Sequence, residues 1–496
     1  MSRERLNTGH VLTLLSLLVV VVYGHTIQAQ FVWDDVFLIE RNQRLGEFRS
    51  AWSLAWGDFF GQAHTTQSGY LRPVPTLLNY LTVKIFGYSP VAFHAIQLML
   101  HLLVLGIAVR VFRNWGLTNL SILVGLAFYT VHPMQAEALS FVSCRPELLA
   151  AIFVLLTCLC VQNSRDGGSF WWCIFACLSL TLGFLSKETA VVIVPFIWFL
   201  GVDYSKKVTW VLTGFALALV ALRFSWMPAN LGDQVGAEIN LSLALNLLAF
   251  YVQQLFLFEG PRCLYTYLDL SDWQLQTLIT VVLLIGFGLW IILRRRRSMV
   301  VLGIIWFLLF LGPVLHLIPF GTLAADRYLY LPLFGVALGV AHGTDALIRK
   351  QSRSTVIVAL VGVLVLMAFS TLTRFRSQEW QNEITLWSAE IEMPPLQGHA
   401  LVELGTALAD AQKIDDAHKA YRLAWTINPG GLILFRNLIR IESRGLNREL
   451  GRALRNAVLD PAVTTKTLRF WSEKMAALNQ PSLSQLLHDQ ATRNGK

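Results

Sequence analysis

The segment Val11–Ala29, VLTLLSLLVVVVYGHTIQA, runs for 19 residues without an Asp, Glu, Lys or Arg. That is the length a helix needs to cross the hydrocarbon of a bilayer. Val208–Trp226 (VTWVLTGFALALVALRFSW), interrupted only by Arg223, and Trp273–Leu293 (WQLQTLITVVLLIGFGLWIIL) are similar runs. Across all 496 residues, 55% are hydrophobic and 14% charged, whereas soluble domains carry about 25% charged residues. A soluble globular enzyme is excluded, and so is a small secreted module held by disulfides. Cys158, Cys160, Cys173 and Cys177 lie inside apolar runs as small hydrophobes, and no cysteine spacing suits a zinc site. Cys144 and Cys263 fall in loops assigned to the same outer side, which leaves a disulfide between them open.

Working outward from these runs gives about 11 membrane spans, near residues 11–29, 90–112, 118–133, 146–162, 169–185, 189–202, 208–226, 273–293, 299–319, 328–347 and 355–373. The first is read as a retained helix and not a cleaved signal, since no small-x-small site follows it. Two shorter apolar stretches, 73–87 and 242–258, are expected to lie at the outer interface; the first contains Lys84 and the second Gln253-Gln254. With the N-terminus in the cytoplasm, the short inner loops collect 14 of the 24 basic residues that precede residue 374, including Arg294–Arg297. This is the asymmetry expected of cytoplasmic loops. Asp34, Asp35, Glu137, Glu147, Glu188, Glu259 and Asp326 fall outside. The net charge of +9 thus marks topology and does not point to nucleic acid.

The composition changes after Thr373. Residues 374–496 hold 16 Lys or Arg and 13 Asp or Glu, with no apolar run of membrane length. Within 398–431, Leu401, Leu404, Gly405, Leu408, Ala417, Tyr421, Ala424 and Pro429 fit one tetratricopeptide repeat, in which Gly405 and Ala417 let two helices touch. Single repeats rarely stand alone, so further helical pairs are expected over 430–490. The chain therefore divides into a membrane core, 1–373, whose first outer loop is 30–89, and an extracytoplasmic helical domain, 374–496.

The first outer loop opens with Phe31-Val-Trp33-Asp34-Asp35-Val-Phe-Leu-Ile39, then Asn42. Adjacent carboxylates among aromatics just beyond a membrane helix are costly unless they pair with a cation, bind a metal or act as a base. Apolar neighbours and mutual repulsion raise the pKa of at least one, which suits proton abstraction; an ordinary solvated acid pair is the plainer alternative. Further ionisable residues sit at outer helix ends: Arg72, His94, His132, Glu137, Arg145, Glu147, Lys187, Glu188, Asp326 and Arg327. They gather at one membrane face, whereas transport sites lie near the midplane. Cations so placed can hold a phosphate while a carboxylate works on an acceptor.

Several of these blocks, in order, resemble the transmembrane and tetratricopeptide-repeat O-mannosyltransferases and their bacterial relatives. They are Phe31-x-Trp33-Asp34-Asp35 with Ile39 and Asn42; Arg72-Pro73, Phe86-Gly87, Phe93-His94 and His101; and His132-Pro-x-x-x-Glu137 with Ser143-x-Arg145-x-Glu147. Leu185-Ser-Lys187-Glu188-x-Ala190 with Pro195, and Arg327-Tyr-Leu-Tyr-Leu-Pro332, complete the series. The resemblance implies an all-α polytopic bundle of the C-type glycosyltransferase fold, with its site facing the periplasm or lumen. It implies a polyprenyl-phosphate sugar as donor and a base in the first outer loop, Asp34 or Asp35, with Asp34 the preferred one. Lys187, Arg145 and Arg327 become candidates for the donor phosphate, with Glu137, Glu188, Arg72 and His94 in support. A divalent ion, magnesium or manganese, is left open.

The expected activity is transfer of a hexose to an extracytoplasmic acceptor, a protein hydroxyl or a glycan, in a bacterial inner membrane or, in a eukaryote, the endoplasmic reticulum. The tail offers a surface for a protein partner. Two competing readings are an inactive membrane scaffold working through that tail, and a transporter. The second rests on His101 and His316 as intramembrane ionisable groups.

Overall fold

The computed structural model describes residues 6–60, 69–164, 170–200, 206–226, 240–256, 262–263, 265, 279–280, 282, 286, 299–317, 322–350, 353–428, 432–446, 448–459 and 463–494. Among them the chain is helical throughout, with no strand beyond one isolated bridge between Tyr265 and Ala324. Among the described residues, four helical stretches are long and apolar enough to cross a membrane: Thr8–Gln28, Pro90–Asn114, Val142–Asn163 and Val358–Gln381. Shorter apolar helices join them, including Asn119–Val131, Phe170–Phe184 and Met299–Val314. This is an all-α membrane protein. Helices suit the setting because each satisfies its own backbone hydrogen bonds where no water can. Most of the expected span 273–293, together with Glu259 and Arg294–Arg297, lies outside the described residues.

Local sequence sets the helix ends. Asn7 caps Thr8–Tyr23 by accepting from His10 N at 2.9 Å, and proline occupies the first turn of Pro73–Phe86, Pro90–Asn114 and Arg145–Asn163. Proline is tolerated there because its missing N–H would have had no partner in the helix. Gly87, at φ +65°, ends the first of these and lets the chain turn into the next.

The chain forms two compact units, Met1–Asn382 and Glu383–Lys496. In the first, Val142–Asn163 lies at the centre, with 83% of its apolar window buried, whereas only 6% is buried in Val358–Gln381. That last helix turns Val358, Leu360, Val361, Leu364 and Met367 outward, as lipid contact requires. It runs on from Arg353 to Gln378, so the compositional change after Thr373 falls inside a helix. Charged residues enter its final turn while the backbone stays helical.

Helices Met299–Leu311 and Pro332–Lys350 meet backbone to backbone. A Cβ on Gly335 would strike the Gly303 carbonyl, and one on Gly303 would strike that of Gly335. Helix Asn119–Val131 approaches Pro332–Lys350 almost as closely: a Cβ on Gly125 would come 2.6 Å from Ala337 O and 2.8 Å from Ala341 Cβ. Small residues at such crossings let helices approach where the lipid gives no hydrophobic drive to associate.

In the second unit, Gly398–Asp410 and Ile414–Ile427 form a helical hairpin. Gly405 lies under the Tyr421 ring, whose hydroxyl is 3.0 Å from Thr406 Oγ1, and Ala417 and Ala424 are buried. Helices Leu432–Glu442, Arg448–Val458, Thr465–Ala477 and Pro481–Asn494 follow. The last two are tied by Ser472 Oγ donating to Ser484 O at 2.9 Å. Pro429 lies outside the described residues.

Gly335→Val should push the two backbones apart, and overpacking of this kind costs roughly 1–3 kcal/mol or more. A fall of several degrees in the melting temperature of the detergent-solubilised protein is expected. Gly339→Ala, whose Cβ would meet nothing within 4 Å, should leave it unchanged.

Candidate active site

The turn that follows the first membrane helix is built from aromatic contacts and one buried acid. Gln30 N donates to Gln381 O at 2.9 Å, and Phe31 packs edge-on against Phe93, with ring centroids 5.3 Å apart. Trp33 takes the left-handed backbone conformation, φ +51°, and lies flat on Phe141 at 5.5 Å and 9°. Phe141 in turn stacks on Trp380 at 5.1 Å. A single π-helical turn, Val36–Glu40, then leads to Asn42, whose amide donates to Leu38 O at 3.2 Å.

Here the two adjacent acids separate. The Asp35 side chain is fully buried. Its Oδ1 accepts from Ser143 Oγ at 2.5 Å and Ser143 N at 2.7 Å, and its Oδ2 from Val142 N at 3.3 Å. Burial pushes its pKa up to about 7, against these hydrogen bonds, which pull it down; the neighbouring Asp34 charge adds a smaller upward push. Asp34 itself is only half-buried.

A few residues along, an ion cluster forms. Glu147 Oε1 lies 3.1 Å from Lys187 Nζ and 3.9 Å from Arg327 Nε. Glu137 takes the Arg327 guanidinium on Oε1 and the Arg327 N–H, at 2.7 Å, on Oε2. Arg72 approaches Glu188 at 4.0 Å. Aromatic faces sit beside the cations: Tyr328 lies 5.1 Å from Lys187 Nζ and 5.3 Å from Arg327 Cζ, and Tyr70 lies 5.0 Å from Arg72. Lys187, Glu147, Arg327, Tyr328 and Tyr330 line one cleft. Three cations against three carboxylates leave the cluster neutral. Glu147 is 4% exposed, and its Oε2 finds no partner among the described residues.

The structure thus brings Lys187 and Arg327 onto Glu147, Arg327 also onto Glu137, and Arg72 onto Glu188. Arg145 makes its contacts elsewhere. Its guanidinium donates to Asn79 Oδ1 at 2.7 Å, Thr82 Oγ1 at 3.2 Å and Phe93 O at 3.1 Å, and stacks on the Phe93 ring at 4.5 Å. It pins three helices together and is not aimed at the cleft. His94 is buried with Nε2 3.3 Å from Gln30 O, where it holds the start of the loop.

The sequence blocks contain Ser143, Glu147 and Tyr328, but nothing in them assigns Ser143 to Asp35 or Tyr328 to the cations. Asn79, Thr82 and Tyr70 carry no sequence signal. No group of three or more His, Cys, Asp or Glu is set to hold a metal ion among the described residues. Among the described residues no disulfide joins Cys144 and Cys263, the pair left open by the sequence. His101 Nδ1 bonds the Tyr330 hydroxyl at 2.8 Å, and His316 Nε2 lies 3.1 and 2.9 Å from the Thr322 and Leu323 carbonyls, as packing histidines do.

Because its pKa is raised, Asp35 holds a proton more tightly folded than unfolded between pH 3.8 and about 7. Its contribution to stability therefore falls as pH rises through that window and levels off above it. In thermal melts, Asp35→Asn should lose ground to wild type at pH 4 and regain it by pH 8. A difference between the two that does not change with pH would contradict this.

No protein-family model matches the chain, and no solved structure matches it either. Curated relatives do. Protein O-mannosyl-transferase TMTC1 of Homo sapiens is 34% identical over 192 residues, which cover 34% of this chain and 21% of that protein. Protein O-mannosyl-transferase F38B6.6 of Caenorhabditis elegans is 25% identical over 450 residues, 84% of this chain and 63% of the relative. Protein O-mannosyl-transferase TMTC3 of Homo sapiens is 24% identical over 503 residues, 88% of this chain and 53% of the relative. The chain spans from 21% to 63% of the lengths of these three. The chain is similar to the TMTC protein O-mannosyl-transferases over much of its length.

Proposed function

We propose that this chain is a membrane glycosyltransferase that moves a hexose from a polyprenyl-phosphate carrier to a hydroxyl of an extracytoplasmic protein. Mannose is the preferred sugar, because the relatives are named for it. One observation carries the reading. The segment Val142–Glu147 grips the acid turn through Val142 and Ser143 and the cation cluster through Glu147. A base and a phosphate-holding site are thereby tied to one short piece of chain.

In this mechanism Asp34, the half-buried acid, takes the proton of the acceptor hydroxyl. The acceptor oxygen forms its bond to the anomeric carbon as the bond from that carbon to the phosphate oxygen breaks. The electron pair leaves with the phosphate. Lys187 and Arg327 face the developing charge from largely buried positions, where fixed cations act strongly. Glu137 and Glu147 keep those cations in place before the donor arrives. Arg72, held by Glu188 and Tyr70, borders the same cluster. No step is assigned to a magnesium or manganese ion. The N-terminus lies in the cytoplasm, as the basic inner loops favour, and the tail unit lies outside, where it can receive the acceptor.

The test is transfer in proteoliposomes from polyprenyl-phosphate mannose or glucose to extracytoplasmic protein. Loss of a general base typically costs about 10²- to 10⁴-fold, and Asp34→Asn should fall in that range. Lys187→Gln should weaken both donor binding and turnover. A folded Asp34→Asn protein that transfers at the wild-type rate would end the proposal. So would a folded wild-type protein that transfers neither sugar, and the tail-borne scaffold would then take its place.

A further inference from the structure

Asp34 and Asp35 are neighbours with unlike surroundings. Every hydrogen bond given to the Asp35 carboxylate comes from Val142 or Ser143, and the side chain has no exposure. An acceptor hydroxyl could reach it only if the residues that bury it moved aside. Trp33, one residue before the pair, is held at φ +51°. A left-handed backbone costs a bulky L-residue roughly 1–2 kcal/mol, and it persists only where the surroundings over-determine it.

One segment supplies several of these surroundings. Phe141 lies flat under the Trp33 ring, and the next two residues bind Asp35. The turn closes on itself through Asp35 N donating to Val32 O at 3.0 Å and Val36 N to Trp33 O at 3.1 Å. The gripping segment is itself fixed. Gln97, buried on helix Pro90–Asn114, donates to Ala138 O at 2.7 Å and Phe141 O at 3.2 Å.

We propose that Asp35 is a positioning residue and not the base. With Ser143 it forms a clasp that holds the Trp33–Asp34 turn in its left-handed form and so fixes where the Asp34 carboxylate stands. The inference rests on the reading of Asp34 as the base, but its geometric half can be tested without activity. The Ser143 hydroxyl is the part of the clasp a mild substitution can remove, since the two backbone donors stay.

In the transfer assay, Ser143→Ala should lower kcat by about 10- to 100-fold, the scale of a small misplacement of a reacting group. The donor KM should not move, because Lys187 and Arg327 are untouched. Ser143→Thr, which keeps a hydroxyl, should restore most of the rate. A purely structural bond would instead lower the yield or melting temperature and leave the kcat of the folded fraction intact.

The second arm labels the Asp34→Cys variant in proteoliposomes with a membrane-impermeant maleimide. The wild-type chain, which carries only the native cysteines, supplies the background. Adding Ser143→Ala should change the labelling rate of the introduced thiol by at least about threefold, through altered exposure, and Ser143→Thr should reverse the change. An unchanged rate, or an unchanged kcat in Ser143→Ala, overturns the clasp. Asp35→Asn as inactive as Asp34→Asn, with Ser143→Ala fully active, would make Asp35 the base. If labelling responds as expected but wild type transfers no hexose, the clasp stands and the transferase reading is what fails.

Discussion

The membrane unit gathers its ion cluster around a carboxylate that is almost wholly buried. Glu147 lies between Lys187 and Arg327, and Glu137 completes the coordination of the arginine. Ions so deeply placed carry a desolvation penalty that their mutual attraction offsets only when geometry and hydrogen bonding are good. Removing one member would strand the rest. The cluster is thus weak as a source of stability but strong as a constraint. It obliges helix Arg145–Asn163, the turn at Lys187 and the turn at Asp326–Leu329 to meet at one place.

That constraint explains which parts of the site were legible in the sequence. Helices and their membrane setting follow from run length and local end signals, as at Pro90 and Gly87. The gathering of charge at one face follows from topology. Direction does not. Arg145 and Glu147 stand two residues apart on one helix, and such residues do not share a face. Only one of them could join Lys187, and helical spacing alone does not say which. The structure sends Glu147 to the cations and Arg145 to Asn79 and Thr82.

The acid pair teaches the same lesson at shorter range. Adjacent in sequence, Asp34 and Asp35 look equivalent, and only the fold assigns one to Ser143 and leaves the other half-buried. The deciding partner lies 108 residues away along the chain, and serine is too common to announce itself. In the tail, by contrast, Gly405 and Tyr421 are close in sequence and define a local hairpin. Their contact could be anticipated from spacing because it needs nothing distant.

The backbone contact between Gly303 and Gly335 reaches further than its own crossing. Gly335 lies in the first turn of the helix that begins at Pro332, directly after the stretch bearing Arg327, Tyr328 and Tyr330. Two bare backbones in contact leave no side chain to flex or change rotamer, so the crossing acts as a fulcrum of fixed length. Where the Arg327 turn stands relative to helix Met299–Leu311 is constrained there, in addition to the hold of the arginine's own partners.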